Sequence, residues 1–90
     1  MTTMWNLGTS IAVVESADRV VLLDLEAVGA LPVVLAGTAQ SIFRIALRST
    51  DRATLVADVA AHYGVAPPAV RDDVDHFIAH LVTAGYLRQS

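Results

Sequence analysis

Apolar residues in the first part of the chain occur as short runs that are rich in β-branched and aliphatic side chains. This pattern is typical of strands. The three runs are Ser10–Ser16, Arg19–Leu25 and Leu31–Leu35. Ala17 and Asp18 form the predicted first turn, and Glu26–Ala30 form the second, where Gly29 is free to adopt a positive φ. Connections this short predict an antiparallel meander of three strands.

The remainder of the chain follows the periodicity of amphipathic helices. The predicted helices are Ala39–Arg48, Arg52–Tyr63 and about Pro67–Thr83. Thr38 is the expected N-cap of the first helix. The N-cap of the second helix is one of Ser49, Thr50 and Asp51. Gly64 and Gly85 are expected to end the second and third helices, and Tyr86 and Leu87 to fold back onto the core.

Three strands followed by three helices predict an α+β winged helix-turn-helix, in which the last two helices form the helix-turn-helix. The chain has 90 residues, of which 54% are hydrophobic. This length and composition predict one folded domain over residues 1–90. So large an apolar fraction in so small a domain also indicates apolar surface intended for a partner.

Pro32 makes the third strand the expected edge of the sheet. Proline has no N–H, so sheets tolerate it mainly at edges, with its nitrogen facing outward. Because alternate residues direct their backbone groups to the same side, Val34 should face the free edge as well. Leu31–Leu35 carries no charge to protect such an edge. An added peptide strand, the protein's own N-terminus or a second copy in a homodimer would each cover it.

The third helix has an apolar stripe with two different flanks when its residues are placed at about 100° intervals. The stripe consists of Val70, Val74, Phe77 and Leu81. One flank consists of Arg71, Asp75, Ile78 and Val82, and the other of Asp73, His80 and Ala84. Ile78 and Val82 widen the apolar face beyond what a small core needs. Either flank could face a bound peptide.

Charge and residue types exclude several classes of function. The net charge is −3, and the third helix carries three aspartates against one arginine, which disfavours nucleic acid as a partner. The chain has no cysteine, and His76 and His80 lack a clear third metal ligand, so we expect no metal and no cofactor. No catalytic constellation is evident. No apolar run is long enough to span a membrane, and nothing resembles a signal peptide, so a cytoplasmic location is expected.

Several motifs in fixed order carry a family resemblance over Val20 to Leu87. They are "VLLD" on the second strand, "GTA" before a helix that contains Phe43, and the pattern "V..DV..F...L...G.L". That pattern falls on Val70, Asp73, Val74, Phe77, Leu81, Gly85 and Leu87. The chain resembles the PqqD-like proteins, the leader-peptide recognition elements of pathways that modify ribosomally made peptides. The resemblance implies a non-catalytic protein that binds the leader segment of a precursor peptide as an added strand.

This resemblance also implies partners and site residues. The expected peptide site consists of Leu31, Pro32, Val33, Val34, Leu35, Arg71, Asp73, Val74, Asp75, Ile78 and Val82. The preferred partner is a transglutaminase-like cysteine protease of a lasso peptide pathway, with a cyclase downstream. A pyrroloquinoline quinone pathway, with a radical-SAM enzyme as partner, is the alternative. An acidic winged-helix module that regulates through protein contacts is a third interpretation.

Overall fold

The structure is a computed structural model that describes residues 4–29 and 31–89. It contains, in chain order, β1 (Trp5–Leu7), β2 (Ile11–Glu15), β3 (Arg19–Asp24), β4 (Val33–Ala36), α1 (Thr38–Ala46), α2 (Arg52–Tyr63), a 3₁₀ turn (Pro67–Ala69), α3 (Arg71–Thr83) and β5 (Leu87–Gln89). The predicted fold class, a three-stranded antiparallel sheet followed by three helices, is confirmed.

The main sheet has the strand order β2–β3–β4 and is antiparallel throughout. Val21 on the central strand lies opposite Val14 on one side and Val34 on the other. The predicted first two strands are confirmed to within a residue at each end. Gly29 adopts the expected positive φ of 78°, and the last residue of its predicted turn, Ala30, lies outside the described residues.

The third strand begins two residues later than predicted and ends one residue later, since β4 spans Val33–Ala36. Leu31 and Pro32 were therefore wrongly assigned to the strand. The ladder with β3 reaches only as far as the pair Leu22–Val33. Beyond it, Asp24 Oδ1 accepts a hydrogen bond from the Glu26 N–H (3.0 Å), which turns the chain out of the sheet.

A second, two-stranded sheet was not predicted. β1 pairs antiparallel with β5, with Asn6 opposite Arg88. The turn that follows β1 requires glycine, because a Cβ on Gly8 would lie 2.0 Å from the Gly85 carbonyl oxygen. β1 and β5 thus form a two-stranded ribbon, which we call the β1–β5 ribbon. The predicted alternative, in which the N-terminal segment covers the free edge of the main sheet, does not hold for β1.

The helices agree with the prediction in their number and order but differ at three of their ends, since α1 begins one residue and ends two residues before its predicted bounds and α3 begins after a separate turn. Gly37 precedes α1 as its N-cap, without a side-chain hydrogen bond, so the expected cap at Thr38 was wrong and Thr38 is the first helical residue. Asp51 caps α2 and accepts from the Thr54 N–H (2.7 Å), and Gly64 ends α2 at φ 68°. The predicted third helix is a 3₁₀ turn followed by α3.

The core lies between one face of the main sheet, the three helices and the β1–β5 ribbon. Its largest fully buried side chains include Trp5, Phe43, Leu22, Leu81 and Leu87. On α3 the buried residues are Val74, Ile78 and Leu81, while Val70 and Phe77, which the helical pattern assigned to the core stripe, are only half-buried. In residues 4–29 and 31–89 no helix is long and apolar enough to cross a membrane.

Candidate functional site

The hydrogen bonds between β2 and β3 determine which way each backbone group of the sheet points. The Ser16 N–H donates to the Arg19 carbonyl (2.9 Å), and the Leu25 N–H donates to the Ser10 carbonyl (2.8 Å). Because hydrogen-bonded pairs alternate along an antiparallel ladder, Val21 also directs its N–H and C=O toward β2. The intervening residues Val20 and Leu22 direct theirs toward β4.

The same alternation defines the edge of the sheet on β4. Val20 and Leu22 lie opposite Leu35 and Val33, so these two β4 residues use their backbone groups on β3. The N–H and C=O of Val34 therefore point away from the sheet, as those of Ala36 do. Over the described residues β4 has β3 as its one neighbour in the sheet, so this edge has the groups needed to bind another strand.

The side chains around this edge are apolar and exposed. Val34 is 55% exposed and Leu31 is 82% exposed. Leu25 and Val28, in the connection between β3 and β4, are exposed as well. No charged residue lies within β4. Among residues 4–29 and 31–89, the edge thus has neither the charges nor the covering segment by which proteins usually prevent strand pairing.

On α3, Asp75 already has a partner within the chain. Arg52 Nε, at the start of α2, donates to Asp75 Oδ1 (2.7 Å), and Arg52 Nη2 donates to Asp75 Oδ2. This two-pronged hydrogen bond from Arg52 lowers the pKa of Asp75, and the charges of Arg52 and Arg71 act in the same direction. The same bonds raise the pKa of Arg52. The predicted role of Asp75 in contacting peptide charges would require this pair to be shared or broken.

A cavity of about 410 Å³ lies along the same flank of α3. Its walls come from α3, from the start of α2 and from the β1–β5 ribbon. They are formed by Trp5, Arg52, Leu55, Val74, Asp75, Ile78, Ala79, Val82, Thr83 and Gln89. Four of the predicted site residues line this cavity: Val74, Asp75, Ile78 and Val82. No residue of β4 lines it.

The predicted site residues thus lie in two separate places, at the edge of the main sheet and along α3. Leu31–Leu35 includes the strand edge, and most of the α3 residues line the cavity toward α2. Asp73 lies two positions from Asp75, about 200° around the helix, and is exposed on the opposite flank. Arg71 is exposed near Pro67 and the first turn of α2. Ile78 belongs to the core, with 7% of its surface exposed, and is less available to a partner than its helical position indicated.

The sequence-based prediction missed seven residues of these two surfaces: Ala36 at the edge, and Trp5, Arg52, Leu55, Ala79, Thr83 and Gln89 at the cavity. Ala36 belongs to the edge, and a prediction that placed the strand one residue further along would have included it. Arg52 and Trp5 line the cavity. Trp5 is the single tryptophan of the chain. Since tryptophan buries a large apolar surface, its presence beside Leu7 was the available signal for a packed N-terminal segment.

The histidines and carboxylates do not form a metal centre in the part of the chain that the structure describes. No group of three His, Cys, Asp or Glu side chains there is placed to hold an ion. His76 and His80 are exposed on α3. The features with a definite geometry are therefore the strand edge and the cavity.

These features define a class: a small winged helix-turn-helix domain with an acidic third helix and an open, apolar strand edge. The family described as Coenzyme PQQ synthesis protein D (PqqD) matches residues 19–87, which is most of the chain. The chain belongs to the PqqD family, as the sequence motifs predicted.

Comparison with solved structures finds the same fold in another protein. The chain is similar to TbiB1, in the structure of TbiB1 in complex with the TbiA(beta) leader peptide. The TM-score is 0.78 at 23% sequence identity, and the match covers 92% of this chain and 94% of that one. No curated protein matches the chain.

Proposed function

We propose that this protein binds the leader segment of a ribosomally made precursor peptide and presents it to modifying enzymes, without catalytic activity of its own. The leader is added as a further antiparallel strand on β4. Because precursor peptides are made on ribosomes, the encounter takes place in the cytoplasm.

One observation carries this proposal. The outward N–H and C=O of Val34 and Ala36 provide a ladder for an incoming backbone, and the surface around them is apolar. A strand added there would convert an exposed edge into an interior position of a four-stranded sheet. Membership of the PqqD family supports the proposal, as does the similarity of fold to TbiB1, whose structure is a complex with a leader peptide.

Side chains of the leader would alternate between the two faces of the extended sheet. Those opposite Val33 and Leu35 would point to the helical side, as Leu35 does. On that side we propose apolar contacts from α3: Val82 is the partly exposed candidate, whereas Val74 and Ile78 are buried and would contact the leader only where it displaces part of the wall of the cavity. Arg71 and Asp73 are exposed and available for charges of the leader, whereas Asp75 would contribute through its pair with Arg52.

The affinity should be moderate despite favourable contacts. A leader segment that lies along the four residues of β4 buries apolar surface, and each Å² buried contributes about 25 cal/mol of favourable free energy. Ordering a disordered peptide opposes much of that gain. We therefore expect dissociation constants between nanomolar and micromolar.

We propose a lasso peptide pathway as the setting, with a transglutaminase-like cysteine protease as the enzyme that receives the leader. The alternative is a precursor of the cofactor pyrroloquinoline quinone, received by a radical-SAM enzyme, and the family description favours keeping it. To distinguish the two pathways, leader cleavage by a purified transglutaminase-like cysteine protease is measured with and without this protein. Faster cleavage in its presence would support the lasso peptide pathway. Stimulation of a radical-SAM partner alone would favour the alternative.

The test of leader binding uses short open reading frames next to the gene. Their N-terminal segments are synthesised with a fluorescent label, and binding is measured by fluorescence anisotropy. We expect saturable binding by one of them. Absence of binding by every adjacent precursor would contradict the proposal, and a gel shift with duplex DNA at low salt would then favour a regulatory winged helix.

A homodimer through the β4 edge is the other occupant to consider. Such a dimer would compete with the leader, because both use the outward groups of Val34. Solution mass measured with and without peptide distinguishes the two. A dimer that persists at saturating peptide would show that the leader does not use this edge.

A further inference from the structure

The outer face of the main sheet, opposite the core, is apolar along a row that ends at the β4 edge. Val20, Leu22 and Leu35 are buried on the inner face. The alternating residues Val14, Val21 and Val34 therefore point outward and lie directly opposite one another across the three strands. Val14 is 67% exposed and Val34 is 55% exposed. An added strand would extend this row by one residue.

We infer that the leader carries an apolar residue at the position opposite Val34, and that the Val34 side chain selects it. This inference rests on the proposed strand addition. Val34 directs its backbone groups to the edge, so it forms a hydrogen-bonded pair with one leader residue, at a Cα separation of about 5.5 Å. Side chains of such a pair lie on the same face and in contact.

The leader segment should therefore be apolar at three successive positions, and not alternately apolar and polar. The middle residue meets Val34 on the outer face. Its two neighbours meet Val33 and Leu35 on the helical side, where Leu35 is buried and Val33 half-buried. Such a strand reads as a short continuous apolar run, because both of its faces are used.

Charge makes the selection testable. On the outer face the strands present apolar side chains apart from Arg19, whose guanidinium lies 3.5 Å from the Asp18 carboxylate. A charged leader residue opposite Val34 would find no partner within this row. Replacing Val34 by lysine would supply one, so Val34→Lys should convert a preference for an apolar residue into a preference for Asp or Glu. A cross-strand pair of this kind changes affinity by about two- to fivefold.

The experiment sorts a displayed library of random peptides, long enough to form a strand, against the purified full chain. Since the chain has no cysteine, an Asp58→Cys variant takes a single fluorophore on the exposed side of α2. Parental protein, Val34→Lys and Val34→Pro are compared with Val14→Lys. That control places a lysine on the same face, two strands from the edge.

We expect the selected peptides to share an apolar run whose central position becomes acidic with Val34→Lys and stays apolar with Val14→Lys. Suppose that the peptides bind Val34→Pro more weakly than the parental protein, but that their central residue stays the same with Val34→Lys. That result would overturn this inference and leave strand addition intact. Peptides that bind Val34→Pro as well as the parental protein would overturn both, and so would a library that yields no binders.

Discussion

Replacing Val34 by proline tests the β4 edge most directly, because the change removes one hydrogen-bond donor that the folded chain does not use. The Val34 N–H points away from β3, so the three-stranded ladder keeps all its bonds. Val33, the preceding residue, is already extended, which is the conformation that a following proline favours. The proline ring restricts φ to a value less extended than an ideal strand, so a small decrease in thermal stability is expected.

The loss of leader affinity can be worked out from the same geometry. A residue opposite Val34 would exchange two hydrogen bonds with it, and proline removes one of them. The lost bond is worth about 0.5–1.5 kcal/mol, and the leader carbonyl left without a donor adds about 1–3 kcal/mol where it is shielded from water. Together these terms amount to about 1.5–4.5 kcal/mol, which corresponds to an affinity about 10- to 2,000-fold weaker.

The assay is a titration of each variant into a labelled leader or library-selected peptide, followed by anisotropy. Val34→Ala is the matched control, because it shortens the same side chain and keeps the N–H. We expect Val34→Ala to bind within a few-fold of the parental protein and Val34→Pro to bind at least tenfold more weakly. Circular dichroism and a thermal melt establish that both variants are folded. Equal affinity of a folded Val34→Pro variant would refute strand addition on β4.

Three further predictions concern the frame around the site. Trp5→Ala should lower the free energy of unfolding by about 3–5 kcal/mol in chemical denaturation, since this side chain is buried; an effect below about 1 kcal/mol would mean that β1 does not pack as described. Gly8→Ala should lower the melting temperature, because the new methyl group meets the Gly85 carbonyl; an unchanged melt would show that the β1–β2 turn can shift freely. Asp75→Asn should lower the melting temperature at neutral pH. Because the folded-state pKa of Asp75 is below its ordinary value, the stabilisation exists above the ordinary pKa and disappears as the pH falls through the lowered one. The two melting temperatures should therefore converge in acid, and a gap that persists there would exclude the ion pair with Arg52 as the cause.

The helical half of the fold was readable from local signals. The bounds of α2 follow from Asp51, which caps its first turn, and from Gly64, whose φ of 68° few other residues adopt without strain. The prolines at Pro67 and Pro68 marked the start of a helical segment, but local rules did not show that it opens with a separate 3₁₀ turn. This turn lies against α2, which is a tertiary contact.

The sequence predicted which strand lies at the edge of the main sheet, but it did not predict the bounds of that strand or its register with β3. Pro32 indicated an edge, and the edge is where β4 lies, yet Pro32 itself precedes the strand. The conclusion that Val34 faces outward survives because it depends on the parity of the ladder, which the hydrogen bonds at Ser16 and Leu25 determine. Which residues of a strand direct their backbone groups toward a neighbour depends on how the two strands pair, and the sequence of one strand does not determine that pairing.

The sequence by itself determined the order of the elements, the apolar character of β4 and the acidic character of α3, because these depend on residue type and on spacing along the chain. Only the tertiary structure decided that Trp5–Leu7 pairs with Leu87–Gln89 and that Asp75 is held by Arg52. It also decided that Ile78 lies in the core. Those contacts join residues far apart in the chain, and no local propensity favours one such pairing over another.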